Sequence, residues 1–249
     1  MAGARERWSA FLEKIEARHD ELLQGAAQAL PGLVPDAGFD LLPFSNALTA
    51  VRTQCIGLWQ KIDRTWSDSA EAALEADGAD RNTERARGSV AAARMERALR
   101  KAEVEIAAAA AEIVVERARA TLTKEFKCTR CGAALKPKQS FFRSHYVPCE
   151  FCQSMNTFEP GMIARQVEHF AVHALAERAA LEANLRFFDA ERAYRDRSAG
   201  APTKEKLVEL YSAQVDTYLN ERVKLLPDLA KDLAADRRAK IDAFVYSIA

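Results

Sequence analysis

Apolar residues recur every three or four positions along most of the chain, the spacing that gathers them on one face of an α-helix. In residues 4–30 that face is Trp8, Leu12, Ile15, His19, Leu22 and Ala26. A stretch dense in Pro31, Gly32, Pro35, Gly38 and Pro43 ends the first helix. A second is expected from Ser45, a suitable N-cap, with Leu48, Val51, Cys55, Leu58, Ile62 and Trp66 on its stripe. Gly78 to Asn82 then breaks or kinks the chain.

No Gly or Pro occurs from Ser89 through Cys131, nor from Met162 through Ala199. Each window has room for one uninterrupted helix of roughly 50–60 Å at 1.5 Å per residue. Met95, Leu99, Ala102, Ile106, Ala109 and Ile113 mark the first. Val167, Ala171, Ala174, Arg178, Leu181, Leu185, Phe188 and Arg192 mark the second with alternating steps of four and three, a coiled-coil-like stripe. Two such helices around a short insert predict an antiparallel hairpin with the insert at its tip. Beyond a turn at Ser198–Thr203, Leu207, Leu210, Tyr211, Val215 and Tyr218 define a helix running to Pro227. A last short helix carries Leu229, Leu233, Ile241 and Phe244.

Composition agrees with a mainly α fold. Roughly a fifth of the residues are alanine, and only ten are glycine. Lysine plus arginine and aspartate plus glutamate both number 36, so a chain-wide basic field for nucleic acid is excluded and only a local patch remains open. Arginine outnumbers lysine 24 to 12, which associates with a GC-rich bacterial source. No run approaches the ~18 apolar residues of a membrane span. The opening MAGARERWSAFLEK lacks the apolar core of a secretory signal, so a cytoplasmic location is expected. The chain divides into a helical region at 1–123, an insert at 124–161 and a second helical region at 162–249.

The insert carries the chemistry. Cys128-x-x-Cys131 and Cys149-x-x-Cys152 are separated by 17 residues. Each pair turns two thiolates toward one ion, and two pairs complete a tetrahedron of sulfur. Gly132 suits the tight turn after the first pair. Between the pairs, Ser140 to Val147 alternates loosely, the one strand signal in the chain. In these features the segment resembles a zinc ribbon, the small β-rich fold with two Cys-x-x-Cys knuckles, and departs from it at Gln153, where the second knuckle often has Gly. The resemblance implies one structural Zn²⁺ per chain on Cys128, Cys131, Cys149 and Cys152. The same thiolates also suit an iron site. Four sulfurs leave no position for an activated water.

Other candidates are weaker. Cys55 falls on an apolar stripe and reads as a buried hydrophobe. His169, His173 and Glu177 form a row away from the Val167/Ala174 stripe, a solvated or partner-facing set. Glu16-x-x-His19 is single where a di-metal bundle needs two. No phosphate loop, nucleophile elbow or dinucleotide fingerprint occurs, so an enzyme is not expected. The insert holds six basic residues against three acidic ones, interleaved with six aromatics. Lys127, Arg130, Lys136, Lys138, Phe141, Phe142, Arg143 and His145 are its candidate contact residues. Two functions follow. One is a structural or adaptor protein that presents the head to a protein partner or to a second copy in a homo-oligomer. The other is a nucleic-acid-binding protein using phosphate attraction and base stacking at the head.

Overall fold

The computed structural model describes residues 3–122, 125–137 and 144–248. The fold is mainly helical, with a small β region inserted into it. Its elements are α1 (Ala4–Ala29), α2 (Leu33–Asp36), α3 (Leu42–Thr65), α4 (Glu71–Ala76) and α5 (Arg81–Leu122), followed by β1 (Phe126–Lys127), β2 (Ala134–Leu135), β3 (His145–Pro148) and β4 (Met155–Phe158). The chain then returns to helix in α6 (Gly161–Gln166), α7 (Val172–Ala179), α8 (Leu181–Arg195), α9 (Lys204–Leu225) and α10 (Leu233–Ser247). It forms two compact units, residues 1–106 and 107–249, with α5 contributing to both.

In the first unit α1 packs along α3. Trp8, Leu12, Ile15, Ile62, Trp66, Leu74 and Met95 fill the core. The stripe expected on α1 is buried as read, except that Leu23 takes the place of Leu22. The α3 start differs from expectation. Ser45 lies inside the helix, because Pro43 fits its first turn and the Asp40 carboxylate accepts the Leu42 N–H at 2.9 Å. Gly88, one residue before the glycine-free window, lies within α5. A Cβ there would come within 3.0 Å of the Trp8 ring, so the close approach of α1 requires the missing side chain. Glycine in a helix costs roughly 0.5–1 kcal/mol, and the buried Trp8 offsets it.

His19 is fully buried on α1, and among the described residues neither ring nitrogen has a hydrogen-bond partner. Burial pushes its pKa below 6.5, while Asp20, 3.7 Å from Nδ1, and Glu16 pull the other way. The unfolded chain therefore takes up this proton first, and stability falls as pH drops through 6.5 toward the folded value. His19→Leu is expected to stabilise the protein at neutral pH by about 1–3 kcal/mol. It should also flatten that pH dependence, which urea unfolding at pH 7.5 and 5.5 will show.

The second unit is organised around α9, which packs against α7, α8 and α10. Phe187, Leu207 and Phe244 form part of its core, with Tyr211 stacked on Phe244 at 4.3 Å. The Thr203 hydroxyl caps α9 by accepting the Lys206 N–H. Alongside, the last four turns of α5 bury Ala108, Ala110, Ala111, Val114 and Ala118, and α6 to α7 bury Ala164, Val167, Ala171, Val172, Ala174 and Ala176. Arg178 on α7 donates to Glu112 on α5 at 2.6 Å, so the two segments flanking the β insert lie side by side.

The second long helix is not continuous. A wide π-turn at Val167–Ala171 interrupts it, and Ala180 leaves helical geometry at φ −89°, ψ 0°. The π-turn adds a residue, so consecutive Ala171 and Val172 are both buried and the apolar face shifts. Neither break needs Gly or Pro, which is why the residue types gave no sign of them. Arg178 and Arg192, read as stripe positions, are only partly buried and pair with Glu112 and Asp196. On α5 the expected stripe holds through Ile106 and then passes from Ala109 and Ile113 to Ala110, Ala111 and Val114, where the helix begins to serve the second unit. A regular coiled-coil seam is absent from the described residues of this pair.

Candidate metal centre

The β insert is two hairpins. Phe126 pairs with Leu135 and Lys127 with Ala134 in the first; His145, Tyr146, Val147 and Pro148 pair with Phe158, Thr157, Asn156 and Met155 in the second. Alternation along β3 and β4 points Val147, Asn156 and Phe158 inward and Tyr146, Pro148, Met155 and Thr157 outward. Phe126 meets Phe158 edge-on at 5.4 Å, and the half-buried His145 ring lies 5.2 Å from Phe158. Among the described residues the small core is thus Phe126, Leu135, Val147 and Phe158, with Asn156 as its buried polar member.

The two cysteine pairs fold into matching knuckles. In the first, the Gly132 N–H donates to the Cys128 carbonyl at 2.9 Å and the Cys128 N–H to the Ala133 carbonyl at 2.8 Å. In the second, the Gln153 N–H donates to the Cys149 carbonyl and the Cys149 N–H to the Ser154 carbonyl, both at 2.9 Å. This turn requires a left-handed residue after the second cysteine. Gly132 supplies it at φ 72°, and Gln153 adopts the same conformation at φ 57°. The departure from the usual glycine therefore leaves the turn intact at the cost of some strain. Nothing lies within 4 Å of a Cβ built on Gly132, so Gly132→Ala is penalised by conformation alone. It is expected to cost about 1–2 kcal/mol, whereas Gln153→Gly is expected to be neutral or stabilising; thermal unfolding of the metal-loaded protein distinguishes the two.

The knuckles bring all four sulfurs within 4.8 Å of one another. Cys128 Sγ lies 3.6 Å from Cys152 Sγ, and Cys131 Sγ 3.6 Å from Cys149 Sγ. Tetrahedral coordination with Zn–S near 2.3 Å has S···S edges of about 3.8 Å, so the donor set and its spacing fit such an ion. No other group of three or more His, Cys, Asp or Glu among the described residues is arranged to hold a metal. Cys128 and Cys149 are buried, Cys152 is half-buried and Cys131 is exposed.

The sulfurs are unequal in their surroundings. Ser154 Oγ lies 3.2 Å from Cys128 Sγ and 3.0 Å from Cys152 Sγ. The Asn156 amide donates to Cys128 Sγ at 3.6 Å and to the Ser154 carbonyl at 3.2 Å, while its oxygen accepts the Thr129 N–H at 2.9 Å and the Thr129 hydroxyl at 3.1 Å. The Ser154 hydroxyl, then the Cys131 N–H, hold the Cys128 thiol down at about 5. The Ser154 hydroxyl and N–H lower Cys152. Cys131 receives the Ala133 N–H, yet Cys152, burial and its other sulfur neighbours push it up to about 12. Sequence reading missed Ser154 and Asn156. The signal for Asn156 was a polar residue at an inward position of an alternating strand.

The other candidates are placed as follows. Lys127, Arg130 and Lys136 are exposed, and Lys127 pairs with Glu125 at 3.3 Å. Lys138, Phe141, Phe142 and Arg143 lie outside the described residues. Cys55 is fully buried on its stripe, and burial raises its thiol to about 11. His173 is not merely solvated: its Nδ1 meets the Tyr218 hydroxyl at 2.5 Å and its Nε2 lies 3.4 Å from Glu177, tying α7 to α9. His169 is exposed. A cleft of about 470 Å³ between α5, α7 and α9 is lined by Glu112, Glu116, Arg119, Arg178 and Glu221 over an apolar floor, with neither a nucleophile nor a histidine. No helix among the described residues is long and apolar enough to cross a membrane. No family model, curated protein or solved structure matches this chain.

Proposed function

We propose that this is a non-enzymatic structural or adaptor protein whose head, stapled by Zn²⁺ on Cys128, Cys131, Cys149 and Cys152, is presented to another protein or to a second copy. The observation that carries this reading is the head's apolar surface. Tyr146, Phe151 and Met155 are 73%, 81% and 63% exposed. Among the described residues the head's core is Phe126, Leu135, Val147 and Phe158, and these three lie outside it. Exposed aromatics and methionine are what protein interfaces enrich. Four thiolates close the coordination shell, which suits a structural ion.

With six basic residues against three acidic over 124–161, nucleic-acid binding by the head is the second reading. The test compares wild type with Tyr146→Ser/Met155→Ser. Self-association is read by light scattering over a concentration series. Contacts with other proteins are read by cross-linking from a photo-reactive residue at position 151. Complexes lost in the variant at unchanged zinc content support the reading. Complexes equal in both proteins overturn it, as does salt-sensitive nucleic-acid binding indifferent to the two substitutions.

A further inference from the structure

We propose that the metal centre is asymmetric by construction: Ser154 and Asn156 secure the Cys128 and Cys152 sulfurs, and Cys131 is the ligand through which the centre exchanges with incoming thiols or chelators. Two independent features meet here. The first is access. Cys128 and Cys149 are 3% and 1% exposed, whereas Cys131 lies on the surface. An incoming ligand therefore reaches the ion from the Cys131 side.

The second is hydrogen bonding. A thiolate on a metal still carries charge, and each N–H or O–H directed at it stabilises that charge and lowers its tendency to attack an electrophile or take another partner. Side-chain donors converge on one side of the centre. Ser154 Oγ is within reach of both Cys128 and Cys152, and Asn156 Nδ2 adds to Cys128. Cys131 Sγ instead accepts a main-chain N–H, that of Ala133, and its side-chain neighbours are the other sulfurs.

Asn156 is 3% exposed and has every polar atom engaged. Its oxygen holds the Thr129 N–H of the first knuckle, and its amide holds the Ser154 carbonyl of the second. One inward residue of β4 thus fixes both knuckles around the ion. Ser154 and Asn156 are positioning residues and do not coordinate. This inference rests on the four-thiolate site, not on the identity of the partner.

The test uses the full-length zinc-loaded protein with limiting iodoacetamide, each cysteine's labelling being followed by peptide mass spectrometry. Cys131 should label first. Ser154→Ala should raise labelling at Cys128 or Cys152 by about tenfold, the worth of one hydrogen bond to a charged group, and Ser154→Thr should restore the wild-type pattern. The tetrahedral thiolate spectrum of the Co²⁺-loaded variant verifies that it still folds. Labelling of Cys128, Cys149 or Cys152 before Cys131 in wild type overturns the proposal. So does a folded Ser154→Ala protein with wild-type rates at all four sulfurs. Failure to bind Zn²⁺ or Co²⁺ at all would instead refute the metal site itself.

Discussion

Withdrawing the metal is expected to unfold the head and leave the helices folded. The head's sheets are two-stranded, with strands of two and four residues, and isolated hairpins of that kind are marginal in water. Among the described residues its core is four apolar side chains, in a segment of the size that ordinarily needs a metal or disulfides. A structural zinc contributes on the order of 10–16 kcal/mol of apparent binding energy to such a fold, far more than that core supplies. The helices draw on separate cores, Trp8, Ile62 and Trp66 in one unit and Phe187, Leu207 and Phe244 in the other. A strong chelator, or Cys149→Ser, should therefore abolish amide protection across 145–158 while the helical circular dichroism persists. Protection retained without metal would show that the ion is dispensable to the fold.

Replacing both Arg5 and Arg87 by Ala is expected to destabilise the first unit substantially. The Glu84 side chain is only 1% exposed in the first turn of α5, where the helix dipole favours an anion. Arg5 Nε and Arg87 Nη1 each lie 2.7 Å from one of its oxygens, and its main-chain carbonyl accepts the Trp8 indole N–H at 3.2 Å. Burial raises the carboxyl, but the two guanidinium groups prevail and its pKa is lowered. Removing both leaves an unpaired buried charge, worth 3–5 kcal/mol when fully enclosed. Because the arginine heads are 62% and 42% exposed, water will reach the vacated site, and about 2–3 kcal/mol is expected after screening. The wild-type contribution is present above the unfolded value of 4.5 and is lost as pH falls through the lower folded value. The gap between variant and wild type in urea unfolding should accordingly be widest at neutral pH and narrow in acid. A gap independent of pH would mean that packing, not charge, is lost.

Legibility in the sequence varied with the physics of each element. The mainly helical fold and the stripes of α1 and α9 could be read because a single packed face imposes one period. The four-cysteine cluster could be read because two thiolates directed at one point need a fixed short spacing. The π-turn at Val167–Ala171 and the break at Ala180 could not, since both fall in ordinary helix-forming residues with neither Gly nor Pro to mark them. Gly88 shows the converse. Its local preference is against helix, and the buried Trp8 overrides it. Ser154 and Asn156 became visible only once the knuckles brought residues 128, 152, 154 and 156 together. The exposure of Tyr146 was likewise hidden, because only the pairing of its strand with residues 155–158 assigns its face.

Native mass spectrometry of the purified protein beside Cys128→Ser/Cys149→Ser tests the four-sulfur centre most directly. One ion per chain is expected in the wild type, unchanged on dilution to the monomer, and none in the variant. An ion retained by the variant, half an ion per chain, or a wild type that binds no metal would contradict it.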